Sequence, residues 1–210
     1  MTTVRELVVS ADPEAWRAAG FHVHADGVCV LDDIRVRLAG AGIEEVGGIT
    51  EWVLVSSPAP KVTDIDGLVT SHNAALGDAA APTAHPNGVT SIDHLVVNTP
   101  DLERTCDAIE AATGAPLKRI REVDAVRQGF HRLGSLIVEV VTHPGVTAEH
   151  AEFWGLALNA DDLEAMYRRC GDAAMIAPKD AVQRGRRIAS FREAVGLGLP
   201  VAVMTPHVGR

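Results

Sequence analysis

Cysteine is scarce in this chain of 210 residues: Cys29, Cys106 and Cys170 stand alone and odd in number. That excludes a disulfide framework and a Cys-based zinc site. Basic residues are also in deficit, 19 Lys and Arg against 28 Asp and Glu, for a formal net charge of −9. A surface so acidic attracts neither nucleic acid nor an anionic membrane. No apolar run approaches the roughly 18 residues needed to span a bilayer. The opening Met-Thr-Thr-Val-Arg-Glu has no apolar h-region, so the chain reads as cytoplasmic. There is no GxGxxG after a first strand, no phosphate-cradling GxxxxGK[ST] and no GxSxG elbow. Nucleotide-dependent chemistry and serine hydrolysis therefore have no support.

What is present is an ordinary globular composition, 47% hydrophobic and 22% charged, and a repeated local grammar. Leu7-Val-Val-Ser-Ala-Asp-Pro-Glu-Ala-Trp16, Leu95-Val-Val-Asn-Thr-Pro-Asp-Leu-Glu103 and Leu156-Ala-Leu-Asn-Ala-Asp-Asp-Leu-Glu164 each join an apolar strand to a polar cluster and a helix. The polar cluster can cap orphan N–H groups, and acids in the first turn suit the helix dipole. Pro100 fits the first turn of the second helix, and Gly114 is placed to end it. After each helix the pattern returns to strands: three of them divide 115–142, with Gly134 before the last. Each unit reads as β-α-β-β-β.

The predicted fold is α+β, with repeated β-α-β-β-β modules forming curved mixed sheets around a cup and helices outside. Residues 1–57 form a shortened, diverged module, with Glu51–Ser56 as an extra strand closing it. Residues 58–89 form a linker with a helix possible over Val62–Leu76 and a Pro- and Ala-rich stretch over Ala79–Gly88. Residues 90–207 form a domain of two modules, 90–143 and 152–207.

Two polar residues stand out because they interrupt apolar strands. His94 lies within Ile92-Asp-His-Leu-Val-Val97, and Glu139 within Leu136-Ile-Val-Glu-Val-Val141. Glu139 shares a strand face with Ile137 and Val141, so it points into a pocket or core, where an uncompensated carboxylate costs several kcal/mol. Something must compensate it: a metal, a catalytic partner, or an arginine such as Arg119, Arg121 or Arg132. The bland reading of His94 is a structural histidine bonded to a backbone carbonyl.

These two stretches, with Arg127-Gln-Gly-Phe-His-Arg-Leu-Gly134 and Gly185-Arg-Arg-Ile-Ala-Ser-Phe-Arg192 through Gly198-Leu-Pro-Val-Ala-Val-Met204, resemble the glyoxalase-like, or vicinal oxygen chelate, superfamily. The resemblance covers residues 90–207 well and residues 1–56 as a diverged copy. It implies paired modules enclosing a cup and a divalent metal (Zn, Ni, Mn or Fe) held by residues of the first and last strands of each module. His94 and Glu139 fall on those two positions in the middle module, as metal ligands and as catalytic residues. In the third module the corresponding positions are Gly155 and Ala202, and in the first about Glu6 and Arg37, so the implied metal site is incomplete.

Further candidates are His131 and Trp154 as walls of the cup and Arg187 as a substrate contact. Arg186, Arg187 and Arg192 form a basic cluster that could hold an anion bidentately or an ion-pair network. His22 and His24 alternate onto one strand face, a spacing that can chelate a metal. Trp16 and Trp52 read as core.

The function so implied is that of a glyoxalase-like protein acting on, or binding, a small vicinal-oxygen compound. As an enzyme it would be a metal-assisted lyase, isomerase or dioxygenase, or would use His94 and Glu139 as an unassisted acid–base pair. The alternative is a non-catalytic protein that sequesters a small molecule. A homodimer whose partner supplies missing ligands is also implied by the resemblance.

Overall fold

The computed structural model describes residues 2–40, 47–56, 63–76 and 84–206. In the first half β1 (Thr3–Ser10) leads into α1 (Pro13–Ala18), followed by β2 (Val28–Leu31), β3 (Ile34–Leu38), β4 (Gly48–Val55), β5 (Asp64–Ile65) and β6 (Leu68–His72). The second half runs β7 (Val89–Asn98), α2 (Leu102–Thr113), β8 (Arg119–Val123), β9 (Val126–Leu133) and β10 (Leu136–Thr142). It ends with β11 (Glu152–Ala160), α3 (Leu163–Cys170), β12 (Met175–Asp180), β13 (Arg187–Phe191) and β14 (Val201–Met204).

The expected helix starts are real. Asp12, Asp101 and Asp162 cap α1, α2 and α3 by accepting from the backbone N–H of Glu14, Arg104 and Ala165 at 2.9, 3.0 and 2.8 Å. Pro100 lies just before the cap rather than within the first turn, because Asp101 takes the capping position. Gly114 ends α2 at φ 70°, in the left-handed region that glycine adopts without penalty.

The strands make two mixed sheets, a six-stranded one ordered β2-β3-β1-β4-β6-β5 and an eight-stranded one ordered β12-β13-β14-β11-β7-β10-β9-β8. In the larger sheet β7 runs parallel to β10 and β11 parallel to β14, while β7 and β11 pair antiparallel at the centre. Each half is thus the expected β-α-β-β-β unit. The smaller sheet repeats this plan in reduced form: β1 is parallel to β3, β4 is parallel to β6, and β1 pairs antiparallel with β4. Its first half has one strand fewer than expected. The strand over 51–56 does more than close that unit, since it opens a further strand set with β5 and β6.

A helix over 62–76 is not what forms. Residues 63–76 hold β5 and β6, joined by a tight hairpin in which Asp66 and Gly67 take φ 53° and 100°. Asp-Gly is the dipeptide that favours such a two-residue turn. Part of the stretch expected as linker, 79–83, lies outside the described residues, as does residue 207 at the expected end of the second domain.

One cluster of buried apolar side chains runs through both sheets and includes Trp16, Leu54, Leu95, Ile109, Leu158 and Met166. Trp16 donates its indole N–H to Leu197 O at 3.1 Å, and Trp52 meets Phe153 with ring centroids 5.4 Å apart. Both tryptophans are fully buried, as expected. Helix α2 lies close against β9: a Cβ on Gly129 would sit 2.7 Å from Cys106 Sγ, so only glycine fits there.

Candidate active site

Strand register gathers the site. Across the larger sheet Arg119 of β8 pairs with Phe130 of β9, Phe130 with Glu139 of β10, and Glu139 with Val96 of β7. Side chains of such a row project from the same face. His94, two residues before Val96, shares it. Arg119, Phe130, Glu139 and His94 line a cavity of about 410 Å³ that reaches Lys179 on the opposite edge strand and has Ile188 and Met204 among its apolar walls.

His94 Nε2 lies 3.1 Å from Glu139 Oε2, and His94 Nδ1 lies 2.9 Å from Asp93 Oδ2. The amide of Gln128 donates to the other oxygen of Glu139. Adjacent strand residues normally face opposite ways, so contact between the Asp93 and His94 side chains needs a local break. The register supplies it: Ala157 pairs with His94 and Leu158 with Ile92, leaving Asp93 unopposed as a bulge.

Behind Asp93 stands Arg186, 3% exposed, donating to Asp93 Oδ1 at 2.7 Å and Asn159 Oδ1 at 2.8 Å. Further N–H groups reach Thr205 O at 2.7 Å and Gln183 Oε1 at 2.5 Å, so four of the five donors of the buried guanidinium are used. Burial alone would raise the Asp93 pKa, but hydrogen bonds from His94 and Arg186 win and hold the carboxyl well below the usual range. Glu139 goes the other way: burial raises its pKa, opposed by the positive charge of His94 and Arg121. One histidine therefore stands between a carboxyl whose pKa is held down and one whose pKa is pushed up.

The other predicted site residues lie elsewhere. His131 is next to Phe130 and so projects from the opposite, helix-covered face, where it is 1% exposed with Nδ1 2.9 Å from Ala115 O. Trp154 is 49% exposed on the surface and lines no wall of the cup. Arg187, adjacent to the cavity-lining Ile188, turns away to Glu164 at 3.1 Å and to Pro178 O at 2.7 Å. Of the basic cluster it is Arg186 that enters the site. His22 and His24 stack edge to face with centroids 4.9 Å apart, near His85. A groove of about 540 Å³ lined by Phe191 and residues 192–200 has Arg192 and Glu193 as its charged lining.

No family model matches the sequence, and no curated protein matches it. Solved structures do. A triple mutant of 4-hydroxymandelate synthase from Streptomyces coelicolor superposes with a TM-score of 0.67 at 13% identity, covering 99% of this chain and 93% of that one. Methylmalonyl-CoA epimerase from Mycobacterium tuberculosis covers 57% of this chain and 90% of its own, at 16% identity and a TM-score of 0.49. The synthase, which spans this chain end to end, belongs to the vicinal oxygen chelate superfamily. This chain has the vicinal oxygen chelate fold.

The metal that this fold implies can be tested against the donors present. In the first half of the larger sheet His94 and Glu139 are offset by two residues, since Glu139 pairs with Val96. The same offset in the second half links Gly155 to Ala202, because Ala157 pairs with Ala202. The ligand-bearing positions of that half thus carry a hydrogen and a methyl group. A Cβ at 155 would lie 2.5 Å from Pro200 O, so the backbone itself denies a side chain there. Among the described residues no group of three or more His, Cys, Asp and Glu is placed to hold a metal ion. Two donors do not make the implied four-ligand site, and the donor set does not fit it.

Proposed function

We propose that this protein binds a small oxygen-bearing compound in the cup of its larger sheet and that Glu139 moves a proton on it. The observation that supports this most directly is the buried Glu139–His94 pair opening onto the cavity, with His94 fixed from behind by Asp93. The Asp93 carboxylate accepts the Nδ1 proton of His94. One further proton is then shared between His94 Nε2 and Glu139; in the reactive form it rests on His94 Nε2, and burial, which raises the Glu139 pKa, makes the free carboxylate a stronger base.

Such a pair suits abstraction and return of a proton on the carbon beside a carbonyl or carboxyl group. Glu139 as carboxylate takes the proton from the substrate carbon, and His94 Nε2–H donates a hydrogen bond to the oxygen on which charge develops. Asp93 keeps the imidazole in one tautomer and orientation, and Arg186 keeps Asp93 ionised. Every step uses groups of the chain itself, and the outcome is an isomerisation or epimerisation.

The test is hydrogen exchange. Candidate 2-oxo and 2-hydroxy acids are incubated with the protein in D₂O and followed by proton NMR. Deuterium should enter at C3 of the 2-oxo acids or at C2 of the 2-hydroxy acids with wild-type protein and not with Glu139→Gln. Compounds that bind without exchanging would instead mark the protein as a sequestering one.

A further inference from the structure

We infer that the compound held in the cup is a small 2-oxo or 2-hydroxy carboxylic acid whose carboxylate docks on Arg119 and Arg121; this rests on the cup being the binding site. Arg119 and Arg121 are two residues apart on β8, paired with Phe130 and Gln128 of β9. They therefore share the face that lines the cavity. Several other arginines of this acidic chain are committed to carboxylates: Arg5 to Asp33, Arg37 to Glu6, Arg104 to Asp66, Arg127 to Glu103, Arg186 to Asp93 and Arg187 to Glu164. Arg119 and Arg121 line the same cavity as Glu139, and the charge of Arg121 acts on that carboxylate from across it. Two guanidinium groups side by side on one face match the two oxygens of a carboxylate.

Arg119 is also held in place. Its guanidinium lies 4.5 Å from the centroid of the Phe130 ring, so less freedom is lost when an anion binds. Lys179 adds a third cation at the far wall, and Asp180 beside it offsets part of that charge. The arginine end is thus the strongly positive one. A cavity of about 410 Å³ is at the small end of ligand sites. It suits a metabolite-sized acid with a short apolar tail against Ile188 and Met204. With the carboxylate at the arginines, the oxygen on the neighbouring carbon comes to the Glu139–His94 end, Glu139 lying in one cross-strand row with Arg119.

The test is calorimetric titration with 4-methyl-2-oxopentanoate, its methyl ester and inorganic phosphate, using wild-type protein, the double variant Arg119→Gln/Arg121→Gln and Glu139→Gln. The acid should bind wild type and lose roughly ten- to hundredfold in affinity in the arginine variant. The ester should bind both proteins equally weakly. Arg119 is exposed and Arg121 half-buried on an edge strand, so the variant keeps the fold, checked by its melting temperature. Equal affinity for acid and ester, an unaffected arginine variant, or no binding of the acid would overturn the inference. Phosphate binding as tight as the acid would overturn it too, by showing a general anion site. Glu139→Gln should retain acid binding while losing exchange. Retained binding without exchange in wild type would sink the proton-transfer reading and leave the carboxylate site standing.

Discussion

His94 and Glu139 touch at 3.1 Å although neither is the other's cross-strand partner: His94 pairs with Ile137, and Glu139 with Val96. A long carboxylate side chain reaches diagonally back along a parallel pair to the imidazole. Because burial raises the Glu139 pKa, its carboxyl should titrate above the ordinary value of about 4.3. Arg121 opposes that rise, so Arg121→Gln should move the titration to still higher pH. Carboxyl-carbon NMR across pH 3–9 reads both. For exchange catalysed by the carboxylate form, the rate should climb with pH through the same value. A Glu139 titrating at or below the ordinary value would remove the basis for its acid–base role.

The sign for stability follows from linkage. Above the unfolded pKa, folded Glu139 holds a proton that the unfolded chain has released, so its contribution to stability falls as pH rises through the folded value. Asp93 acts oppositely: its contribution is full above the unfolded pKa and is lost as pH falls through the depressed folded value.

Asp93→Asn tests the support behind the histidine. It leaves Arg186, 3% exposed, with a buried charge and no carboxylate. Breaking one side of a buried pair costs about 3 kcal/mol, and denaturant unfolding should show a loss of that order. The double variant Asp93→Asn/Arg186→Gln should recover part of it, because no unpaired charge then remains. A single variant as stable as wild type would mean that Asn159, Gln183 and Thr205 O already satisfy the guanidinium.

The β-α openings were legible because each combines an apolar strand with an Asp cap, and the correspondence of Gly155 with His94 and of Ala202 with Glu139 emerged from the same spacing. The register bears out that correspondence residue by residue. The hairpin at Asp66-Gly67 was legible too, through its turn dipeptide, but the apolar content around it was read as helical. Asp93 could not be found by alternation. It lies one residue out of phase with His94, and a bulge that tertiary pairing creates brings the two together. His131 fails for the converse reason: beside Phe130, either residue could face the cup, and only the packing of Ala115 and Cys106 against that sheet face decides it.

His131 gives a prediction of its own. Burial lowers its pKa, and its Nε2 has no hydrogen-bond partner. The unfolded chain therefore binds a proton below about pH 6.5 that the folded one resists, and stability falls as pH drops through that range. His131→Leu removes this dependence and the unsatisfied nitrogen together, though it also gives up the bond to Ala115 O. Unfolding free energy of His131→Leu should be flatter than wild type between pH 7 and 5, with acid binding in the cup unchanged. A changed affinity would return His131 to the site.

Gly155 decides whether the second half of the larger sheet could ever have carried a metal ligand in this backbone. A Cβ there would lie 2.5 Å from Pro200 O and 3.1 Å from Pro200 Cβ, and backbone cannot yield as a flexible side chain does. Gly155→Ala should cost about 1–3 kcal/mol, the range for forced overpacking, and Gly155→His should unfold more readily still rather than gain a metal. With His94 and Glu139 as the donors left, dialysis against EDTA should leave the melting temperature and the D₂O exchange unchanged. Stoichiometric zinc, nickel, manganese or iron in the purified protein, lost in both His94→Ala and Glu139→Ala, would show that two side chains and solvent suffice. The acid–base reading of the pair would then give way to a Lewis-acid one.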